Sequence, residues 1–234
     1  MPEYFPLIES LVERAIRSFE EPDTGIWEYR TQMRHHTFSK AMSWVAAQRG
    51  SKLARDLGRE EESARWAAEA ARMRAHILEH GFNRELGYFT QSLGGRNADA
   101  SLLLLPTLGL LEARDPRFVS TVRAYEKMLV RDGWMLRYVH DDDFGETTSA
   151  FSICSFWWAE ALAMMGEIEE ARALFNRQLK SANPLGLFSE DVDPDTGRLL
   201  GNFPQAYTHV GLIHAAITIG ELSDAQTAHF RAWA

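Results

Sequence analysis

Two glutamates at opposite ends of the 234-residue chain stand in similar settings: Glu28 in EEPDTGIWEYR and Glu190 in NPLGLFSEDVDPDTG. Each closely follows a glycine and an aromatic residue. Two carboxyl groups brought to one cleft can divide the hydrolysis of a glycosidic bond, one protonating the leaving oxygen and the other drawing a proton from water. Glu28 comes directly after Trp27, and an indole that strips water from a carboxyl favours its protonated form, as a general acid requires. The competing reading is a surface carboxylate paired with Arg30, since exposed ion pairs are common. Asp191, Asp193 and Asp195 follow Glu190 closely, but DPDTG is a turn sequence, and Asp193 and Asp195 read as turn formers.

Arg137, in GWMLRYVHDDD, offers a planar guanidinium that can donate two fixed hydrogen bonds to vicinal hydroxyls, or else pair with Asp141–Asp143. His35 and His36 precede a helix and have no second histidine cluster at metal-ligand spacing. The acidic run lacks the spacing of a calcium loop. There is no GxSxG elbow, phosphate-binding glycine loop or GxGxxG, so neither a metal nor a cofactor is expected.

These residues lie in loops between helices. Apolar residues recur at helical spacing, beginning with Phe5, Ile8, Val12, Ile16 and Phe19. The pattern predicts helices at roughly 3–19, 37–57, 61–80, 98–111, 116–130, 148–165, 167–181 and 205–219. The first, third, fifth and seventh are amphipathic, whereas DASLLLLPTLGLL, SAFSICSFWWAEALAMM and HVGLIHAAITI are apolar nearly all round, as expected of helices surrounded by protein. Inner and outer helices should alternate. Short turns at Gly58-Arg59, Ala113-Arg114 and Gly166 alternate with long loops that contain GIWE, GYFT, GWML and GLFS, which implies a repeated helix pair with its elaborate loops at one end.

Composition narrows the function further. Thirty-three acidic against twenty-five basic residues give a formal charge of -8, with no basic tract to neutralise phosphates, so nucleic acid is not an expected partner. Cys154 is the only cysteine and sits in an apolar run, where a buried structural thiol is expected. The N-terminus does not resemble a signal peptide, and no segment approaches about 20 consecutive apolar residues, which predicts a cytoplasmic chain without membrane contact.

GIWEYR, HHTFSKAMSWVAAQR, DASLLLLPTLGLLEARDPR, CSFWWAEALA, ANPLGLFSEDVDPDTG and LGNFPQAYTHVGLIHAA occur in that order. Together they resemble the bacterial branch of the glucoamylase family, glycoside hydrolase family fifteen. The resemblance implies an all-α chain, an incomplete (α/α)6 toroid of about eight helices in four hairpins, with residues 1–234 forming the C-terminal two-thirds of a catalytic domain. It further implies an inverting, exo-acting α-glucosidase of the glucoamylase type, acting without a metal on α-glucans, short α-glucosides or trehalose. Glu28 is implied as general acid, Glu190 as general base, Arg137 as a sugar contact and Trp27 as a cleft-lining aromatic. Full-length relatives carry an N-terminal β-sandwich and two further hairpins that help to grip the sugar. An N-terminal half, or self-association, is therefore the expected partner besides an α-glucoside, and a catalytically silent fragment is the alternative reading.

Overall fold

A computed structural model describes residues 2–142, 145 and 147–232. It contains eight α-helices among those residues: α1 (Phe5–Ser18), α2 (Thr37–Asp56), α3 (Glu60–His80), α4 (Leu105–Leu108), α5 (Pro116–Met128), α6 (Ser152–Met165), α7 (Ile168–Leu179) and α8 (Ala206–Ala232). All eight expected helices are present. The fourth is mostly a 3₁₀ helix, Ala100–Leu104, running into the short α4. The proline at position 106, inside the expected span, is tolerated because it falls in the first turn of α4.

The chain divides into two compact units: Met1–Asn97 with Thr107–Leu110, and Ala98–Pro106 with Leu111–Ala234. In the first, α2 lies against both α1 and α3. Their apolar stripes meet in a cluster of Phe5, Val12, Ala54 and Trp66, and Trp66 Nε1 donates to Glu13 at 2.7 Å, so the buried indole keeps its polar edge satisfied.

In the second unit α6 is the central helix, lying against α5, α7, α8 and the 3₁₀ helix. Its buried residues run from Ser152 to Ala163 round the whole circumference, as its apolar sequence predicts. Cys154 is fully buried there, and burial pushes its thiol well above the ordinary value. The expectation for HVGLIHAAITI needs correction: Val210, Ile213 and Ile217 on α8 are 48 to 55% exposed. The helix is apolar nearly all round, but within its unit only α6 and α7 cover it extensively, on one side.

The long loops contain short strands. β1 (Phe82–Asn83) pairs with β2 (Tyr88–Phe89), and β3 (Val130–Arg131) with β4 (Trp134–Met135). Asp132 and Gly133, both at positive φ, form the two-residue turn between β3 and β4. β5 (Ala150–Phe151), β6 (Asp191–Val192) and β7 (Leu199–Leu200) form a third antiparallel sheet in the order β5-β6-β7. The four Gly-aromatic segments share a backbone feature: Gly25, Gly87, Gly133 and Gly186 have φ between 69 and 78°. Their recurrence in the sequence thus reflects a repeated left-handed turn that glycine adopts without steric cost. No helix among the described residues is long and apolar enough to cross a membrane.

Candidate active site

Glu28 and Trp27 belong to the first unit. The loop that carries them is closed at its base by reciprocal backbone bonds, Asp23 N–H to Arg34 O at 2.8 Å and Arg34 N–H to Asp23 O at 2.9 Å. Within it the Glu28 amide donates to Gly25 O at 3.1 Å and the Tyr29 amide to Thr24 O at 2.9 Å. This tight winding puts Glu28 at φ 55°, a left-handed conformation unusual for a residue with a side chain. Such strain costs on the order of 1–3 kcal/mol and persists only where surrounding contacts over-determine it.

Two anchors supply those contacts. On one side the Asp23 carboxylate accepts the Gly25 amide at 2.7 Å and the Ser39 hydroxyl at 2.6 Å, both on Oδ1. On the other, Tyr29 is buried, stacked 5.5 Å from the His36 ring, and its hydroxyl accepts a 2.9 Å bond from Gln91 Nε2. His36 therefore acts through ring contact and makes no side-chain capping bond to α2. Gly25 packs so closely that a β-carbon there would lie 3.0 Å from the His36 ring. Trp27 is partly exposed and the Glu28 side chain is exposed, so the stripping of water expected from the indole is not seen within this chain.

Glu190 and Arg137 belong to the second unit. Glu190 immediately precedes β6, and its backbone is tied on both sides: its amide donates to Asn202 O at 2.9 Å, and its carbonyl accepts from Ser152 N–H at 2.8 Å. Its carboxylate is equally fixed, since Oε2 accepts the Asn202 amide and the Asn202 Nδ2 group, each at 2.9 Å. Among the described residues Oε1 has no hydrogen-bond partner. One oxygen is thus anchored while the other keeps its lone pairs available, an arrangement suited to taking a proton from water.

Asp191, the next residue, follows the strand alternation to the opposite side and accepts the Ser149 hydroxyl. Burial raises its carboxyl above the usual range, against the Ser149 bond and the Arg137 charge, and Glu190 adds to the rise. Arg137 therefore lies within electrostatic reach of Asp191, with its guanidinium 5.6 Å from the Tyr138 ring centre and 5.9 Å from that of Phe151. In the acidic run 141–143, Asp142 accepts the Tyr138 hydroxyl at 2.7 Å, and Asp143 lies outside the described residues. Asp193 forms the expected turn, accepting the Asp195 amide at 3.0 Å.

The family model for Glycosyl hydrolases family 15 matches residues 1–217. The chain belongs to that family. Trehalase of Mycobacterium tuberculosis is 45% identical over 218 residues, which are 92% of this chain and 32% of that protein. Trehalase of Thermoplasma volcanium is 36% identical over 215 residues, 92% of this chain and 34% of that protein. This family 15 chain thus spans about one third of the length of the curated relatives it matches.

Among solved structures, glucoamylase from Saccharomycopsis fibuligera aligns with a TM-score of 0.74 at 10% identity, over 91% of this chain and 60% of that one. A bacterial glucoamylase complexed with acarbose aligns at 0.73 and 17% identity, over 94% of this chain and 39% of that one. At such identities the likeness speaks of fold alone, and the fold is that of part of an (α/α)6 toroid. The residue types at 28 and 190 were legible in the sequence. Asn202, Asp23 and Lys40, which hold them or their loops, were not singled out, because their roles arise from contacts 12 to 19 positions apart in sequence.

Proposed function

We propose that this chain carries both catalytic carboxylates of an inverting, exo-acting α-glucosidase, and that trehalose is its foremost substrate. Residues 1–234 would form the C-terminal two-thirds of the catalytic domain. Glu28 acts as general acid: its proton goes to the glycosidic oxygen as the C1–O bond breaks. Glu190 acts as general base through Oε1, taking a proton from the water whose oxygen bonds to C1 from the opposite face. Inversion requires the two carboxyl groups about 6.5–9.5 Å apart, with the water between. Arg137 would donate to sugar hydroxyls, and Trp27 would offer a flat apolar face. The observation that carries this reading is the Glu190 carboxylate, anchored on Oε2 by Asn202 and open on Oε1. The trehalase relatives support the substrate, and maltotriose and isomaltose represent the other α-glucosides to be compared.

Anomeric proton NMR recorded immediately after adding trehalose tests the mechanism. Inversion at one anomeric carbon gives one β- and one α-glucose per trehalose, because the departing glucose keeps its configuration. An initial product that is wholly α would rule inversion out.

A second reading is that the chain by itself is silent, binding sugar weakly or needing the N-terminal hairpins of its relatives. The apolar side chains exposed on α1 and α8 favour it. Turnover that appears when an N-terminal portion of a trehalase relative is added would support a dependence on those hairpins. Calorimetric sugar binding without turnover under every such condition would support silence.

A further inference from the structure

Lys40, in the first turns of α2, is 1% exposed. A buried ammonium is costly unless its protons find acceptors. Its Nζ donates to the Glu21 carbonyl, lies 3.5 Å from the Ser18 carbonyl, and is 3.6 Å from Asp23 Oδ2. The other oxygen of the same carboxylate, Oδ1, takes the Gly25 amide and the Ser39 hydroxyl. Asp23 therefore joins two neighbouring residues of α2, Ser39 and Lys40, to the first amide of the turn that ends at Glu28. Gly25 in turn offers its carbonyl to the Glu28 amide. An unbroken series of contacts runs from a buried charge to the strained residue.

We infer that Asp23, held by buried Lys40, is a positioning residue that keeps the Glu28 turn in the conformation from which its carboxyl meets the glycosidic oxygen. The inference rests on Glu28 being the general acid. Asp23 itself is partly buried beneath the turn, and its carboxylate is occupied by the amide, the hydroxyl and the ammonium, so it acts through Glu28 and not on the sugar. Tyr29 fixes the far end of the turn through His36 and Gln91, and its amide also bonds the Thr24 carbonyl. Asp23 supplies the side-chain contacts that tie the Gly25 end of the winding to α2.

The consequence is specific to the leaving group. A misplaced acid harms substrates whose leaving oxygen must be protonated, and a shift of about 1 Å costs up to ~10²-fold. An α-glucosyl fluoride, which departs as fluoride ion, needs little such help. Asp23→Ala should lower kcat on trehalose by ~10- to 100-fold with KM little changed, and the loss on the fluoride should be at least ~10-fold smaller. Asp23→Asn keeps one acceptor oxygen for Gly25 and Ser39 and should fall between the wild type and Asp23→Ala. Hydrogen exchange on the 234-residue chain provides a measurement that needs no turnover. In both variants the Glu28 and Tyr29 amides should exchange faster, while amides in the middle of α3 should not.

Equal losses on trehalose and fluoride, or unchanged exchange at Glu28 and Tyr29, would overturn the inference. If Asp23→Ala does not fold, Asp23→Asn carries the same comparison. Glu28→Gln is the control: full trehalose turnover in that variant would overturn the assignment of the acid, whereas exchange at Glu28 and Tyr29 would still decide whether Asp23 holds the turn.

Discussion

Asn202 grips Glu190 through three hydrogen bonds: its carbonyl accepts the Glu190 amide, while its own amide and its side-chain Nδ2 both donate to Oε2 at 2.9 Å. Only the Nδ2 bond is lost in Asn202→Ala. A hydrogen bond to a charged group contributes about 1.5–3 kcal/mol when its geometry is good, and part of that is recovered by water at this partly exposed position. Asn202→Ala should therefore reduce kcat by roughly ten-fold while the backbone bonds preserve the fold. Steady-state kinetics on trehalose, with circular dichroism as a check, would show it. A variant with wild-type kcat would mean that the backbone bonds alone orient Glu190.

Removing either carboxylate separates the two proposed catalytic roles. Glu28→Gln and Glu190→Gln should each lower turnover of natural α-glucosides by at least ~10², with little change in unfolding temperature. Their behaviour should diverge on an activated fluoride, which partly rescues Glu28→Gln because its leaving group needs no proton. Near-normal turnover of natural substrates in one variant would reject that residue's role.

Gly201 tests the fit around Glu190, the proposed base. A β-carbon there would stand 2.7 Å from Glu190 Oε2 and 3.0 Å from its Cβ, and the backbone has φ 73°. Gly201→Ala must either displace the carboxylate or twist the backbone that leads into Asn202. The backbone strain alone costs on the order of 1 kcal/mol. We expect a modest fall in melting temperature together with a loss of kcat larger than that of Asn202→Ala, measured on the same substrate.

The sequence revealed the helices because apolar periodicity is a local signal: α1, α2, α3, α5 and α7 begin and end within two residues of the spans it predicts, whereas α6 starts four residues late because Ala150 and Phe151 form β5. The repeated glycines were visible too, but their common left-handed φ was not. Burial was less legible. HVGLIHAAITI reads as an enclosed helix, yet Ile213 and Ile217 are exposed, because hydropathy records what a surface could bury and not which neighbours are present. The reverse holds for Lys40: a lysine in TFSKAMSW gives no hint of burial until α2 is docked over the Glu21 and Asp23 loop. Likewise Glu28 beside Trp27 suggested a shielded carboxyl, whereas Glu28 is exposed and sits at a left-handed φ that its sequence neighbours do not announce.

Asp191 gives a pH-dependent prediction whose sign follows from burial. Its carboxyl is raised above 3.8 in the folded chain, with burial the main cause. The folded state therefore holds this proton more tightly than the unfolded state. The associated stability is fully present below the unfolded value and is lost as pH rises through the folded one. Asp191→Asn, which keeps an acceptor for the Ser149 hydroxyl, removes the buried charge. Its melting temperature should exceed that of the parent chain near neutral pH, and the difference should shrink as pH falls towards 4. A difference that is constant with pH would show that the gain does not come from the ionised carboxyl.

The exposed apolar side chains carry the last prediction. On α1, Leu7 and Leu11 are 60 and 61% exposed and stand four positions apart, preceded by Tyr4. On α8, Val210, Ile213 and Ile217 recur at helical spacing. Both sets are stripes along one side of a helix, and apolar surface gains about 25 cal/mol for each Å² removed from water. Burying either stripe against another molecule thus recovers several kcal/mol, enough to compete with the loss of freedom on association at micromolar concentrations. The 234-residue chain should self-associate and bind ANS, as judged by size-exclusion chromatography with light scattering and by dye fluorescence. The paired changes Leu7→Lys with Leu11→Lys, and Ile213→Lys with Ile217→Lys, should each shift the population towards monomer and weaken dye binding. Because these side chains contribute little to their own units, melting temperatures should change by only a few degrees. A parent chain that stays monomeric at high concentration and binds no dye would show that neither stripe needs a partner, and the proposed dependence on N-terminal hairpins would lose its structural support.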